Sequence, residues 1–135
     1  MRGSVIAGGV YFAVVFALGF ALGVVRVLIT GPKLGEAISV FLEIPVILIV
    51  SWFAATCCVA AFSVAPRASE RLTMGFVAFG LTMVAELSLS VMLFGHTVSE
   101  HFATYAHLLG VIGLAAQLLF ALFPYAQAMR GSTAR

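Results

Sequence analysis

Residues 44–66 read IPVILIVSWFAATCCVAAFSVAP, 23 consecutive positions without Asp, Glu, Lys or Arg. A helix rises about 1.5 Å per residue, so about 20 apolar residues cross the hydrocarbon core of a bilayer. This stretch is therefore a membrane-spanning helix, and the rest of the chain repeats its pattern. Residues 3–25 are another 23 uncharged positions, residues 72–94 are interrupted only by Glu86, and residues 102–129 hold no Asp, Glu, Lys or Arg. The expectation is an all-α integral membrane four-helix bundle, antiparallel and up-down-up-down. Its single transmembrane domain occupies residues 1–135, with spans at about 4–29, 37–63, 70–94 and 102–128.

Composition agrees. Hydrophobic residues make up 63% of the 135 and charged ones 9%, with a mean hydropathy of +1.18. A soluble domain carries roughly a quarter charged residues; the surface here has to be coated by lipid. The net charge of +2 is dispersed as single residues, which gives no basic run to neutralise several phosphates and argues against nucleic acid as a partner. Cys57 and Cys58 are adjacent on a helix, where neighbouring side chains point about 100° apart, so neither a disulfide nor a metal site is expected.

Between the spans stand Thr30-Gly31-Pro32-Lys33, Pro66-Arg67-Ala68-Ser69 and Gly95-His96-Thr97, turn chemistry in each case. These short separators predict that consecutive helices are antiparallel neighbours. Ser69 followed by Glu70 suits a helix start, and Thr97-Val98-Ser99-Glu100 has capping-box spacing. Met1-Arg2 before an apolar run raises a cleaved signal peptide as a rival, but the run exceeds the usual 7 to 15 residues or so and lacks a polar cleavage region. The first span is expected to stay.

Four spans put both termini and the second separator on one side, with Arg2, Arg67, Arg71, Arg130 and Arg135; Arg26 and Lys33 fall on the other. Lys and Arg in short loops favour the cytoplasmic face, so both termini are expected there, in a bacterial inner membrane.

A charge at the bilayer centre costs at least about 2.5 to 3.5 kcal/mol on insertion scales, so buried ionisable groups need partners, neutralisation or water. Four such residues stand out: Arg26, Glu43, Glu86 and His107. Glu43 lies about 10 Å inside span 2, Glu86 about 13 Å inside span 3 and His107 about 8 Å inside span 4 by helical rise. All fall in the outer half under this topology, and the simplest cluster pairs Arg26 with Glu43 and Glu86 with His107. Such pairs either hold helices in register or form a proton- or ligand-binding site. Gly19 and Gly23 form a small-xxx-small pair suited to close packing, while Gln117, Ala121 and Pro124 share a face with His107. Pro45 and Pro124 each remove a backbone donor and predict kinks, the second bending or ending span 4. Trp52 lies mid-span and reads as a packing residue, whereas Tyr11, Tyr105 and Tyr125 lie nearer the interfaces.

No HExxH, glycine-rich phosphate loop, GxSxG or CxxC occurs, so no catalytic residues, cofactor or metal are expected. With Gly23-Val24-Val25-Arg26-Val27-Leu28, Gly31-Pro32-Lys33-Leu34-Gly35-Glu36, Glu43-Ile44-Pro45 and Ser51-Trp52, the first hairpin resembles that of small uncharacterised four-span bacterial inner-membrane proteins. The resemblance covers roughly the first 60 residues and implies no activity. Small multidrug transporters differ, because they carry a coupling acid in the first span and this chain has none there. The leading expectation is a non-enzymatic accessory or structural membrane subunit, in contact with the lipid bilayer and a partner membrane protein or a second copy. The alternative is a small proton-coupled or cation-binding transporter acting as a homo-oligomer, with Glu43 and Glu86 as its acids.

Overall fold

A computed structural model describes residues 1–133; Arg135, counted above among the basic residues, lies outside them. Four helical segments are long and apolar enough to cross a membrane, Arg2–Leu34, Glu36–Ala61, Ala68–Met92 and Leu108–Thr133. The chain is an all-helical, multi-pass membrane protein.

The first segment is longer than its sequence suggests. Helix α1 (Arg2–Val25) runs through a π-helical turn at Arg26–Thr30 into a short helix α2 (Gly31–Leu34). The cause is Pro32, whose ring crowds the carbonyl four residues back in an α-helix. A wider turn relieves the clash, and Gly31 donates its N–H to the Arg26 carbonyl. A Cβ at Gly31 would lie 2.6 Å from that carbonyl oxygen, so the turn requires glycine. The chain reverses at Gly35, in the positive-φ region at 88°, to begin α3 (Glu36–Ala61).

Helix α4 (Ala68–Met92) starts at Arg67 without a side-chain cap, so Ser69 does not cap it. Glu70, in its first turn, instead accepts hydrogen bonds from Ser4 and from the Met1 ammonium. Thr97 caps a six-residue helix α5 (Val98–Ala103), its hydroxyl accepting from the Glu100 N–H at 3.1 Å, which is the N-cap half of the expected capping box. A 3-10 turn (Thr104–Ala106) then leads to α6 (Leu108–Thr133). The fourth membrane segment thus starts at Leu108, and residues 102–107 form a bent approach to it.

Contacts between the helices give their running sense. Ser4 meets Glu70, and Gly8 abuts Met74 and Val77, so α1 and α4 run parallel. Arg26 meets Glu43 while Gly3 faces the Phe62 carbonyl, so α1 and α3 are antiparallel. Arg71 meets Pro124 and Gly75 meets Ala121, so α4 and α6 are antiparallel too. Each long helix touches two others: α1 packs on α3 and α4, and α6 packs on α4 and α3.

The expectation that all consecutive helices are neighbours therefore fails once. α3 and α4 share no backbone contact among the described residues and sit across a diagonal. Their linker crosses the end of the bundle, with Ser63 at φ 49° tightening the turn and Val64 buried in the core.

Packing is concentrated at the end of the bundle that bears the termini. Ala7, Tyr11, Ala55, Cys58, Met74, Ala78 and Phe120 form one core there. Between membrane helices, association rests on close van der Waals contact and hydrogen bonds, so small residues matter most. Gly8 and Gly75 supply them: a Cβ on Gly8 would meet the Met74 carbonyl at 2.6 Å, and one on Gly75 would overlap the Ala121 carbonyl. Gly19 and Gly23, expected to do this, do not: no atom of another residue lies near a Cβ on Gly19, and Gly23 would touch only the Arg26 guanidinium at 3.9 Å.

Tyr11 is fully buried and not at an interface, as its position near the chain start had suggested. Its hydroxyl donates to the Phe120 carbonyl at 2.8 Å, and its ring stacks on Phe120 with centroids 4.3 Å apart. The partner is no accident, because Pro124 lacks the N–H that would otherwise occupy the Phe120 carbonyl. Helix α6 consequently passes through Pro124 without ending and continues to Thr133. A Tyr11→Phe variant is expected to lose about 1 kcal/mol in denaturant unfolding, within the range measured for hydrogen bonds between membrane helices. Pro124→Ala restores the backbone donor, so the same tyrosine change made in that background should cost appreciably less; equal costs in both would rule out this role for Tyr11.

Arg71, counted by sequence among the basic residues of the terminus-bearing side, is buried. Its guanidinium donates to the carbonyls of Ala65 at 3.1 Å and Pro124 at 3.3 Å, tying the linker and α6 to α4. Trp52 packs edge-on against Phe123 at 5.3 Å, and the Arg130 guanidinium lies 5.5 Å from its ring centroid.

Candidate functional site: a chamber between four helices

Away from the packed end the two hairpins diverge. Between them is a chamber of about 610 Å³ whose walls come from α1, α3, α4 and α6. Val15 and Phe120 belong both to the core and to the chamber lining, so the Tyr11 layer is its floor. Gly19 and Gly23, free of close neighbours, leave room along the α1 wall. Most of the remaining lining is apolar, with Phe16, Phe20 and Leu89 among it.

Three charged residues line this space, Arg26, Glu43 and Glu86. Arg26 opens the π-turn, and its Nη1 donates to Glu43 Oε2 at 2.9 Å as an ion pair. Glu86, on α4, accepts at Oε1 from Gln117 Nε2 on α6 at 2.6 Å. Three of the four singled-out residues are therefore brought to one chamber, which a π-bulge borders, a geometry frequent at functional sites.

His107 is the exception. It is exposed, with extended backbone at φ −99° and ψ 154°, in the break between the 3-10 turn and α6. Its assignment to the interior of span 4 treated residues 102–128 as one helix, and the proposed Glu86–His107 pair is replaced by Glu86–Gln117. Gln117 was legible as a polar residue on the inward face of span 4 but carried no charge to draw notice to it.

Two further residues stand near Glu86: Tyr105, which by sequence reads as an interface residue, and His101, which just precedes the fourth uncharged run. His101 is buried, its ring edge-on to Phe102 at 5.5 Å and Tyr105 at 5.7 Å. Tyr105 donates to Met83 Sδ at 3.8 Å. Burial pushes the Tyr105 phenol up, and the Glu86 carboxylate adds to that rise.

Pro45 sits one residue beyond Ile44, which lines the chamber, and α3 is unbroken through it. Among the described residues no three or more of His, Cys, Asp and Glu converge as a metal would need.

The fold and this chamber define the class: a four-span α-helical membrane protein whose single chain forms a mainly apolar cavity with three charged side chains in its lining. In comparisons with protein-family models, with curated proteins and with solved structures, none matches this chain.

Proposed function

We propose that the protein is a small, non-enzymatic transporter-type protein that binds an amphipathic small molecule in the chamber between its four helices. The observation that carries this reading is the chamber itself. Its volume of about 610 Å³ lies within the range of roughly 300–1,000 Å³ typical of ligand pockets, and its few polar groups converge from α1, α3, α4 and α6. A subunit whose charges serve only as glue needs no such space, and that is why a binding role stands ahead of the accessory-subunit expectation. One chain supplies all the residues that line the cavity.

The excess of arginines at the terminus-bearing end supports cytoplasmic termini in a bacterial inner membrane. In that orientation the chamber lies in the outer half of the bilayer and the packed Tyr11 layer closes the cytoplasmic half. Alternating access would then require the two hairpins to rock about that layer.

Gly113 lines the chamber, and nothing stands within 4 Å of a Cβ there, so Gly113→Phe fills the space without a backbone clash. The test compares cells producing wild type or Gly113→Phe for accumulation of radiolabelled neutral, anionic and cationic amphiphiles. A several-fold change for at least one class with wild type, absent with Gly113→Phe, is expected. Identical accumulation of every class would overturn the reading.

A further inference from the structure

Glu43 has Arg26, but Glu86 makes no ion pair among the described residues, the His101 imidazole lying near it but out of contact, so the three charges lining the chamber leave one negative charge in excess. Glu86 also lacks donors: Gln117 Nε2 serves Oε1, and no donor among the described residues serves Oε2. Gln117 Oε1 is itself buried with no hydrogen-bond partner. The Glu86–Gln117 pair thus offers acceptors and surplus negative charge to a space whose other charges, Arg26 and Glu43, are paired with each other, and buried acceptors left unpaired are costly.

We infer that the occupant of the chamber is a lipophilic protonated amine, its N–H groups donating to Glu86 and Gln117 and its apolar body lying against the Phe16 and Phe20 walls. This rests on the proposed function. Charge alone does not satisfy the site, because a quaternary ammonium brings no donor, and an alcohol brings a donor but no charge. A hard metal cation wants about six or more oxygen ligands, which walls of this composition do not supply. Simple protonation of Glu86 would settle the charge but leaves the size of the cavity without a purpose.

The experiment is equilibrium dialysis of 4-phenylbutylamine, its N,N,N-trimethyl analogue and 4-phenylbutanol against the full chain in lipid nanodiscs, with empty nanodiscs subtracted for partitioning. Wild type is expected to bind the amine saturably, at least about tenfold tighter than either analogue, the factor expected of a hydrogen bond to a charged group. Glu86→Gln should bring the amine down to the alcohol's affinity, and Gln117→Leu should weaken it less, with both variants still binding the alcohol. Equal affinities of wild type for amine and trimethyl analogue, or for amine and alcohol, would overturn the inference while leaving the chamber a binding site. Should none of the three bind wild type saturably, the binding role itself fails. If Glu86→Gln does not fold, the three-ligand comparison on wild type decides alone.

Discussion

A Gly75→Leu variant is expected to lose about 3 kcal/mol or more of stability, at or beyond the upper end of what overpacking costs in a well-filled core, and to unfold at a much lower SDS mole fraction than wild type. The position lies on α4 where its backbone touches α6, and any Cβ there would overlap the Ala121 carbonyl. A backbone carbonyl cannot rotate aside as a side chain can, so α4 and α6 would have to separate. That separation would also weaken the Arg71 bond to Pro124 and loosen the layer beneath the chamber. Gly19→Leu is the control: it has the same chemistry on a membrane helix but meets open space, and is expected to cost far less. Similar losses from both would mean that helix packing is not concentrated at the terminus-bearing end.

The second large effect concerns the ion pair at the π-turn. Glu43→Ala leaves the Arg26 guanidinium without its carboxylate in a mainly apolar space, and Arg26→Ala strands Glu43 in the same way. Each is expected to destabilise, by up to about 2.5 kcal/mol, because insertion scales give about 2.5 to 3.5 kcal/mol for an uncompensated charge at the bilayer centre and the Arg26 side chain is a third exposed. Removing both charges with similar-sized apolar residues, Arg26→Met with Glu43→Leu, should recover most of that loss, because neither charge is then left alone. Unfolding in SDS of Arg26→Met, Glu43→Leu and their combination measures this as a double-mutant cycle. Additive losses in the double variant would show that the two residues are not energetically coupled.

The fold was legible because membrane insertion leaves long uncharged runs, and the four seen in the sequence are the four long helices. What the runs do not carry is which helices adjoin. A six-residue linker is long enough either to turn back beside α3 or to cross the bundle end, and the burial of Val64 in the core accompanies the second course. The ends of spans were misjudged where one residue acts over several neighbours. Pro32 widens the turn from Arg26 to Thr30 and keeps the helix going, while the uncharged run at 102–107 hides a break at His107.

The candidate site was half legible for a related reason. Arg26 and Glu43 announce themselves as charges and do pair, but the partner of Glu86 is a neutral amide. Gly19 and Gly23 illustrate the limit of pattern: small residues at helical spacing suit either a tight contact or the wall of a cavity. The clashes at Gly8 and Gly75 show which pair makes the contact here.

The central claim is that the bundle is tightly packed at one end and holds an accessible chamber at the other. Single cysteines placed at Ala116, in the chamber lining, and at Ala78, fully buried in the packed core, test it most directly in a background with Cys57 and Cys58 replaced by alanine. The cysteine thiolate attacks methanethiosulfonate reagents and displaces methanesulfinate, so labelling reports access from water. The account predicts rapid labelling at 116 and little at 78 in lipid nanodiscs. Equal rates at the two positions, or no labelling at 116, would contradict it.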